Sequence, residues 1–488
     1  MTSAASPRSR APLLFYLLAC AVACLALSSQ SFWTDEAETA LKALPPTLPG
    51  WWHALYAERN TNIQLPLYML YIWGWARLFG VSELALRAAN LPWFFLGLAA
   101  IAHFLRRHPS LRNTALLLYC IHPFVWYYLD EARPYLMELC ASLLVFGALF
   151  DALDHPDDTL PPLWWWLFGA GVTILCGAGI LGVPWAIAAL LLLLMRRSGF
   201  VGSLARAGRP ALLVFAPILG LIALFYAWTL EQKVHISVLD PGVRSVLSLF
   251  YEQIGFLGLG PGRLDLRTND LSLFRAYLVP LALLGLPLAW GFMVAARKRF
   301  GLSPSHLASA LLISAGPALL IFALGFLRHT RILARHLTPF FPFFLLAQAC
   351  AILLLWRGGR PFSRAAAGLI VVMLAISSLQ VRFAFRHSKD DERAACASAV
   401  QVLAQGKRVW WVAPIAGAEY YRLPFSKVEI PGYARWVGAA LPHDSGLPDQ
   451  IYLCRTDLSD ATGSTAAFIA AHGYHIAGIW QAFTLWEK

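Results

Sequence analysis

Apolar stretches of about twenty residues recur along most of this chain, and each is long enough to cross a lipid bilayer as a helix. The first of them, residues 11–28, follows Arg8 and Arg10. Of the 488 residues, 58% are hydrophobic and only 14% are charged, which excludes an ordinary soluble enzyme. The sequence therefore predicts an α-helical polytopic membrane protein.

Lysines and arginines in the short loops indicate how the spans are oriented, because such loops lie in the cytoplasm. We predict about eleven spans, with the N-terminus in the cytoplasm and the C-terminus outside. They are residues 11–28, 84–105, 113–129, 135–150, 163–179, 184–195, 211–230, 274–296, 306–326, 336–356 and 365–383. The net charge of +12 lies mostly in these loops, and we find no nucleic-acid-binding motif.

Residues 64–79 are apolar and rich in Trp and Tyr, but the orientation argues against a span there. Such a span would place the basic residues Arg106, Arg107 and Arg112 outside and would invert every later loop. We therefore predict a helix that lies against the membrane, within a first external loop of residues 30–83.

The composition changes near Arg386, where long apolar stretches end. The patterns beyond it predict helices over residues 390–405 and 465–472, and strands over 408–413, 451–453 and 478–486. We predict two domains: a transmembrane domain of residues 1–384 and a small, soluble, extracytoplasmic α/β domain of residues 385–488.

Charged residues gather at the predicted outer ends of the spans in three groups. The groups are Asp35 with Glu36; Asp130 and Glu131 with Arg133; and Arg328, Arg331 and Arg335 with His329 and His336. The arginines of the third group stand three and four residues apart, so a helix would place them on one face. Such a face would suit a phosphate, which a guanidinium binds with two hydrogen bonds.

These charges also have structural interpretations. Thr34 can cap a surface helix whose positive end Asp35 and Glu36 complement. The arginines can extend to lipid headgroups. Glu252 and Asp265, in the long loop that follows the seventh span, are expected to be solvated.

Carboxylates beside guanidiniums suit a reaction in which a hydroxyl loses its proton while a phosphate leaves. Because the charged groups lie at the depth of lipid headgroups, the leaving phosphate is expected to belong to a lipid. The sequence shows no ATP-binding motif, so the donor itself would carry the energy.

Four short motifs, in order, resemble those of the GT-C glycosyltransferases, which include the protein mannosyltransferases and the aminoarabinose transferase of lipid A. The motifs are Thr34-Asp35-Glu36-Ala37; Gln64-Leu65-Pro66-Leu67-Tyr68 with Phe79-Gly80-Val81-Ser82-Glu83 and Arg87; Glu131-Ala132-Arg133-Pro134-Tyr135; and Arg335-His336-Leu337-x-Pro339. The chain departs from the family pattern at Leu65, where a Pro is usual, and at His336, where a Tyr is usual. The resemblance covers most of the membrane part.

This resemblance implies that a sugar is transferred, with inversion, from a polyprenyl-phosphate donor to a lipid, glycan or protein acceptor outside the cytoplasm, at a bacterial inner membrane. It implies Asp35 or Glu36 as the base or metal-coordinating acid. The candidate donor-phosphate ligands are Arg133, Arg328, Arg331, Arg335 and His336, and the candidate second-loop substrate contacts are Asp130, Glu131 and Tyr135. No cofactor is predicted firmly, and a divalent metal stays open.

Two other classes of protein remain as alternatives. A transporter or lipid flippase usually carries charged or helix-breaking residues near the middle of its spans, often with inverted repeats. This chain keeps its acids at span ends and shows no repeat, which counts against that class. The second alternative is a non-catalytic membrane scaffold whose external domain binds a partner.

Overall fold

The computed structural model describes residues 11–57, 61–154, 160–231, 242–267, 271–429, 446–455, 460 and 463–488, and it is mostly helical. The helices are α1 Ala11–Ala26, α2 Thr34–Ala43, α3 Leu48–Ala57, α4 Pro66–Phe79, α5 Glu83–Ala88, α6 Leu91–Phe104, α7 Pro109–Ile121, α8 Pro123–Leu129, α9 Tyr135–Asp154, α10 Pro162–Ala178, α11 Val183–Arg196, α12 Phe200–Ser203, α13 Arg209–Glu231, α14 Val243–Ile254, α15 Arg263–Arg267, α16 Leu278–Arg297, α17 Pro304–Leu327, α18 Phe341–Arg357, α19 Pro361–Phe383, α20 Glu392–Ala404, α21 Ile415–Tyr420 and α22 Ser464–Ala471. The strands are β1 Val409–Val412, β2 Val428–Glu429, β3 Gln450–Cys454, β4 His475–Trp480 and β5 Phe483–Glu487.

The long helices follow the apolar stretches of the sequence. Among the described residues, seven helices are long and apolar enough to cross a membrane, and three shorter ones are apolar as well. Each of the eleven predicted spans coincides with a helix or with two consecutive helices. The predicted α-helical polytopic fold with a small C-terminal α/β unit is therefore confirmed. Arg8 and Arg10 lie outside the described residues, and the orientation of the spans stays a prediction.

The span predicted over residues 113–129 is divided into α7 and α8. Pro123 has no N–H to continue the hydrogen bonds of α7, and it is the first residue of α8. The preceding His122 caps α8, because its Nδ1 accepts the backbone N–H of Phe124 at 3.2 Å. The short helix α8 then ends at Leu129, directly before the second charged group.

The first loop folds into short packed helices, and α4 covers the Trp- and Tyr-rich stretch; its position against the membrane stays a prediction. Trp73 on α4 donates its indole N–H to the carbonyl oxygen of Pro45 at 2.8 Å. Arg77 donates to the carbonyl oxygen of Ala43 at 2.6 Å. Tyr68 and Met69 are buried in the same hydrophobic cluster as the inner face of α2. These contacts fasten α4 to α2 and make one unit of the loop.

The C-terminal sheet has the strand order β2-β1-β3-β5-β4. Strand β1 is buried throughout and runs parallel to β2 and β3, whereas β5 runs antiparallel to β3 and β4. The prediction of a single strand over residues 478–486 is wrong, because this range contains parts of two strands. The chain turns back at Gln481 and Ala482, where Ala482 has a φ of +67°, and so forms the β4–β5 hairpin.

The prediction that Arg328, Arg331 and Arg335 share one helical face is also wrong. Helix α17 ends at Leu327, and His329 adopts a φ of +50°. A 3-10 segment, Ala334–Phe340, begins seven residues after Leu327 and contains Pro339. This proline has no N–H for the carbonyl of Arg335, which instead accepts the Thr338 hydroxyl at 2.8 Å.

The C-terminal unit contacts the first loop directly. The hydroxyl of Tyr421 donates to Glu83 Oε1 at 2.9 Å and accepts the backbone N–H of Phe32 at 2.9 Å. Next to it, Tyr420 donates to the carbonyl of Val81 at 2.8 Å. Both tyrosines lie at the end of α21, which packs on α2. The first loop and the C-terminal unit therefore lie on the same side of the spans.

Candidate active site

Glu36 lies at the centre of a buried ion network. Its carboxylate accepts four hydrogen bonds: two from Arg87, at 2.9 and 2.8 Å, one from Lys389 at 2.9 Å and one from the backbone N–H of Ala132 at 2.9 Å. Burial by itself raises the pKa of Glu36, but the charges of Arg87 and Lys389 outweigh it and hold the pKa at about 2. Glu36 is therefore an ionised, fully bonded carboxylate that organises its surroundings.

Asp130 belongs to the same network. Its carboxylate accepts the backbone N–H and the hydroxyl of Ser28, at 2.6 and 2.7 Å, just after α1. Lys389 donates to the backbone carbonyl of Asp130. Arg87 also binds this segment, since it donates to the carbonyls of Ser28 and Gln30 at 3.0 and 2.7 Å. These bonds join the end of α1, the second charged group and the start of the C-terminal unit.

Asp35 has different surroundings from its neighbour. About a quarter of its side chain is exposed, and its carboxylate lies 3.3 Å from Arg335 Nη2. The structure thus joins a carboxylate of the first loop to a guanidinium three hundred residues later in the chain. Within the described part of the chain, the Arg335 ion pair is the contact seen for its carboxylate, so Asp35 is available to a ligand in a way that Glu36 is not.

Two guanidiniums lie over the ring of Trp33, directly before α2. The Cζ atom of Arg263 is 3.7 Å from the ring centroid, and that of Arg335 is 5.3 Å away. Buried Arg263 Nη1 and Arg335 Nε both lack a hydrogen-bond partner among the described residues. An anion bound here would accept these unused hydrogen bonds and offset the two neighbouring positive charges. Arg263 was not among the predicted site residues; its only signal in the sequence is its position within the long loop that follows the seventh span.

Arg133 is buried and faces the first loop. One of its nitrogens, Nη1, donates to Asn62 Oδ1 at 2.6 Å, to Thr39 Oγ1 at 3.0 Å and to the carbonyl of Asp35 at 3.3 Å. Its Nε has no partner in the part of the chain that the structure describes. Arg133 therefore fixes the backbone of Asp35, while Nε remains available to a ligand.

Glu131 is buried, and neither of its carboxylate oxygens has a hydrogen-bond partner within the described ranges. Burial raises its pKa, and the charges of Lys389 and Arg263 oppose this increase. A buried carboxylate without partners is costly unless a ligand supplies them. Tyr135 follows this group, with its ring packed edge-on against Tyr128 at 4.8 Å.

The expectation that Glu252 is solvated is wrong. Glu252 lies on α14 and accepts a hydrogen bond from the hydroxyl of Tyr128 at 2.9 Å. Burial raises its pKa to about 7, even though this hydrogen bond lowers it. The next residue, Gln253, donates to the carbonyl of Leu337 at 3.0 Å and so holds the segment that carries Arg335. Asp265 is not simply solvated either, because it accepts the backbone N–H of Gly262 at 3.0 Å.

The remaining predicted phosphate ligands differ in position: His336 lies close enough to Asp35, Arg335 and Arg133 to interact with their charges, whereas Arg328 and Arg331 stand apart from the Asp35–Arg335 pair. Arg328 is exposed and Arg331 is half-buried, and within the described residues neither lies within ion-pairing distance of a carboxylate. His336 accepts the backbone N–H of Leu333 on its Nδ1 at 3.1 Å, which shapes the turn before Arg335. Among the described residues, no group of three or more His, Cys, Asp and Glu side chains could hold a metal ion.

The helix order and the appended α/β unit define a polytopic α-helical membrane protein with a small C-terminal α/β unit. Two solved structures are similar to the chain over nearly its whole length. The crystal structure of ArnT from Cupriavidus metallidurans in the apo state is 13% identical, with 97% of each chain covered and a TM-score of 0.57. ArnT from the same organism bound to undecaprenyl phosphate is 14% identical, with 97% of each chain covered and a TM-score of 0.52.

ArnT is an aminoarabinose transferase of the GT-C superfamily, so the fold implied by the sequence motifs is confirmed. No protein-family model matches the chain, and no curated protein matches it either.

Proposed function

We propose that this protein is a membrane glycosyltransferase that moves a sugar from a polyprenyl-phosphate donor to a hydroxyl of an extracytoplasmic acceptor. The observation that carries the proposal is the pairing of Asp35 with Arg335 beside Arg263 and Trp33. It combines a partly exposed carboxylate with two guanidiniums that have unused donors. The ArnT structure that holds undecaprenyl phosphate supports a lipid phosphate as the leaving group.

In the proposed reaction, Asp35 removes the proton of the acceptor hydroxyl. The oxygen of this hydroxyl attacks the anomeric carbon of the sugar. The bond between this carbon and the phosphate oxygen breaks on the opposite face, which inverts the configuration. The electron pair leaves with the polyprenyl phosphate, and Arg263 and Arg335 stabilise the charge that develops on it.

Glu36 does not suit the role of base, because all of its hydrogen-bonding capacity is used and its pKa lies at about 2. We assign to it the support of the second charged group through the N–H of Ala132. Glu131 suits contact with the hydroxyls of the transferred sugar, since its buried oxygens need donors. The site would lie on the outer side of a bacterial inner membrane.

The test is donor turnover by the full-length protein in lipid nanodiscs. Polyprenyl-phosphate sugars would be supplied together with an extract of lipid and glycan acceptors, and the release of polyprenyl phosphate would be followed by mass spectrometry. We expect Asp35→Asn to lower the rate by about 100-fold or more, because general base catalysis contributes at this level. The matched control is Asp151→Asn, which removes a carboxylate near the far end of α9, where Asp151 pairs with Arg106 at 3.6 Å.

Two results would contradict the proposal. One is release of polyprenyl phosphate at the wild-type rate by the Asp35→Asn variant. The other is movement of the intact donor across the membrane without cleavage of the sugar–phosphate bond, which would indicate the lipid flippase instead.

A further inference from the structure

Lys389 is the point at which the C-terminal unit enters the candidate site. It lies between the end of α19 and the start of α20, and its side chain is 8% exposed. Its Nζ donates to Glu36 Oε2 at 2.9 Å and to the carbonyl of Asp130, and lies 4.0 Å from Asp130 Oδ2. One ammonium group thus binds two segments that are far apart in the chain.

Among Glu36, Asp130 and Arg87, the charges balance only when Lys389 is included. Glu36 and Asp130 supply two buried negative charges, and Arg87 supplies one positive charge at 2.8 Å from Glu36 and 3.9 Å from Asp130. Lys389 supplies the second. Without it, two carboxylates would share one cation in a buried site, which is strongly unfavourable.

The backbone near Lys389 is fixed as well. Its own N–H donates to Gln30 Oε1 at 2.8 Å. One turn further along, Arg393 forms an ion pair with Glu83 at 3.2 Å, and its N–H binds the hydroxyl of Ser31 at 3.1 Å. The backbone that carries Lys389 is therefore fixed where the C-terminal unit docks on the first loop, and this fixes the position of the ammonium.

The network continues to the proposed base. Glu36, held by Lys389, accepts the N–H of Ala132 at 2.9 Å and so fixes the backbone on which Glu131 and Arg133 stand. Arg133 in turn donates to the carbonyl of Asp35. Among the described residues, the hydrogen bonds and ion pairs of the Lys389 ammonium go to Glu36 and Asp130, whereas Gln253 holds the segment that carries Arg335.

We propose that Lys389 is a positioning residue, through which the docked C-terminal unit orders the acidic segments of residues 28–36 and 130–133 for sugar transfer. The part that concerns transfer rests on the function proposed above, whereas the ordering of the two segments does not. The proposal predicts a loss in kcat with little change in KM for the donor, because Arg263 and Arg335, which are proposed to stabilise the leaving phosphate, lie on other segments.

The first experiment compares Lys389→Met, Lys389→Arg and the control Lys407→Met in the full-length protein. Lys407 forms a partly exposed pair with Glu487 at 3.4 Å in the same unit. We expect Lys389→Met to lower kcat by roughly 10-fold to 100-fold, the range caused by small misplacements of reacting groups. KM should change by less than about threefold. Lys389→Arg should recover much of the rate, and Lys407→Met should match the wild type.

The second experiment uses hydrogen exchange to measure how well residues 28–36 and 130–133 are ordered, and it does not depend on turnover. The amides of Ser28 and Ala132 donate to Asp130 and Glu36, so hydrogen exchange in peptides that cover them should accelerate in Lys389→Met. It should stay slow in Lys389→Arg and Lys407→Met, and peptides from α10 and α18 should be unchanged in all three.

Wild-type exchange at Ser28 and Ala132 in Lys389→Met would overturn the proposal, and so would an unchanged kcat. A uniform increase of exchange throughout the protein would also overturn it, because Lys389 would then support the fold in general. If the wild type releases no polyprenyl phosphate, the proposed function fails, and the exchange data still decide whether Lys389 orders the two segments.

Discussion

Asp35 and Glu36 are neighbours in the chain with opposite surroundings. Helix α2 turns Glu36 inward, towards Arg87 and Lys389, and leaves Asp35 beside Arg335 at the edge of the site. A fully bonded carboxylate stabilises the structure but has no lone pair free for a substrate proton. We therefore propose that the two acids of the motif have different roles: Glu36 supports the site, and Asp35 is the base of the proposed reaction.

Replacement of Glu36 should affect stability in a pH-dependent way. Glu36→Gln leaves Arg87 and Lys389 short of a buried negative charge, which we expect to cost about 3–5 kcal/mol at neutral pH. The pKa of Glu36 is lowered in the folded protein from 4.5 to about 2. The stability gained from its ionisation is thus complete above about pH 4.5 and is lost as the pH falls towards 2.

Thermal unfolding in detergent would test this expectation. The midpoint of Glu36→Gln should lie well below that of the wild type at about pH 7, and the difference should shrink as the pH falls below about 4.5. The control Asp35→Asn should unfold close to the wild-type midpoint, because Asp35 is partly exposed with one ion pair. A difference that stays constant down to about pH 3 would contradict the assignment.

The arginines near Trp33 should dominate the affinity for lipid phosphate. We expect Arg263→Ala and Arg335→Ala each to weaken the binding of polyprenyl phosphate by roughly 10-fold to 100-fold, since hydrogen bonds to charged groups contribute about 1.5–3 kcal/mol. The control is Arg328→Ala, which removes an exposed guanidinium from the end of α17. Native mass spectrometry would measure the affinities. An equal loss of affinity in all three variants would contradict this expectation and would indicate that Arg328 binds the phosphate as well.

At the scale of the elements, the sequence predicts what is local. Apolar stretches mark the spans, and the helix α4 follows from the Trp- and Tyr-rich segment with Pro66 at its start. The helical face of Arg328 to Arg335 fails because α17 ends at Leu327 and His329 adopts a φ of +50°, which the spacing of the arginines does not indicate. Turn chemistry thus decides the outcome where periodicity is weak.

The residues of the candidate site were only partly predictable from the sequence. The motifs contain Asp35, Glu131 and Arg335, but nothing local indicates that Lys389 binds Glu36 or that Tyr128 binds Glu252. Such contacts join residues that are more than a hundred positions apart. Their formation depends on how the helices pack, which the pattern of one segment does not encode.

Glycines in the segment before Arg263 hold it against α19. A Cβ atom on Gly258 would lie 1.9 Å from the carbonyl oxygen of Ser377, a backbone atom that cannot move aside easily. We expect Gly258→Ala to displace this segment, to lower the unfolding midpoint and to weaken polyprenyl phosphate binding through Arg263. Gly368→Ala on α19 itself is the matched control, because a Cβ there meets no atom within 4 Å. Equal behaviour of the two variants would show that the close approach to Ser377 does not position Arg263.

At the scale of the whole molecule, the contacts of α21 and Lys389 with the first loop place the C-terminal unit on the side of the candidate site. The basic loop of residues 297–299, between α16 and α17, belongs to the opposite side if the charge pattern orients the spans. A lipid-linked donor presented outside the cytoplasm can reach the site in only one of the two orientations of the molecule.

Fusions of reporter proteins would establish this orientation. Alkaline phosphatase folds into its active form outside the cytoplasm, whereas green fluorescent protein exported in an unfolded state stays dark. With the predicted orientation, a fusion after Lys488 should be active with phosphatase and dark with the fluorescent protein. A truncated fusion after Arg299 should show the reverse. A fluorescent Lys488 fusion would place Asp35 and Arg335 in the cytoplasm, because the C-terminal unit and the first loop are bound together.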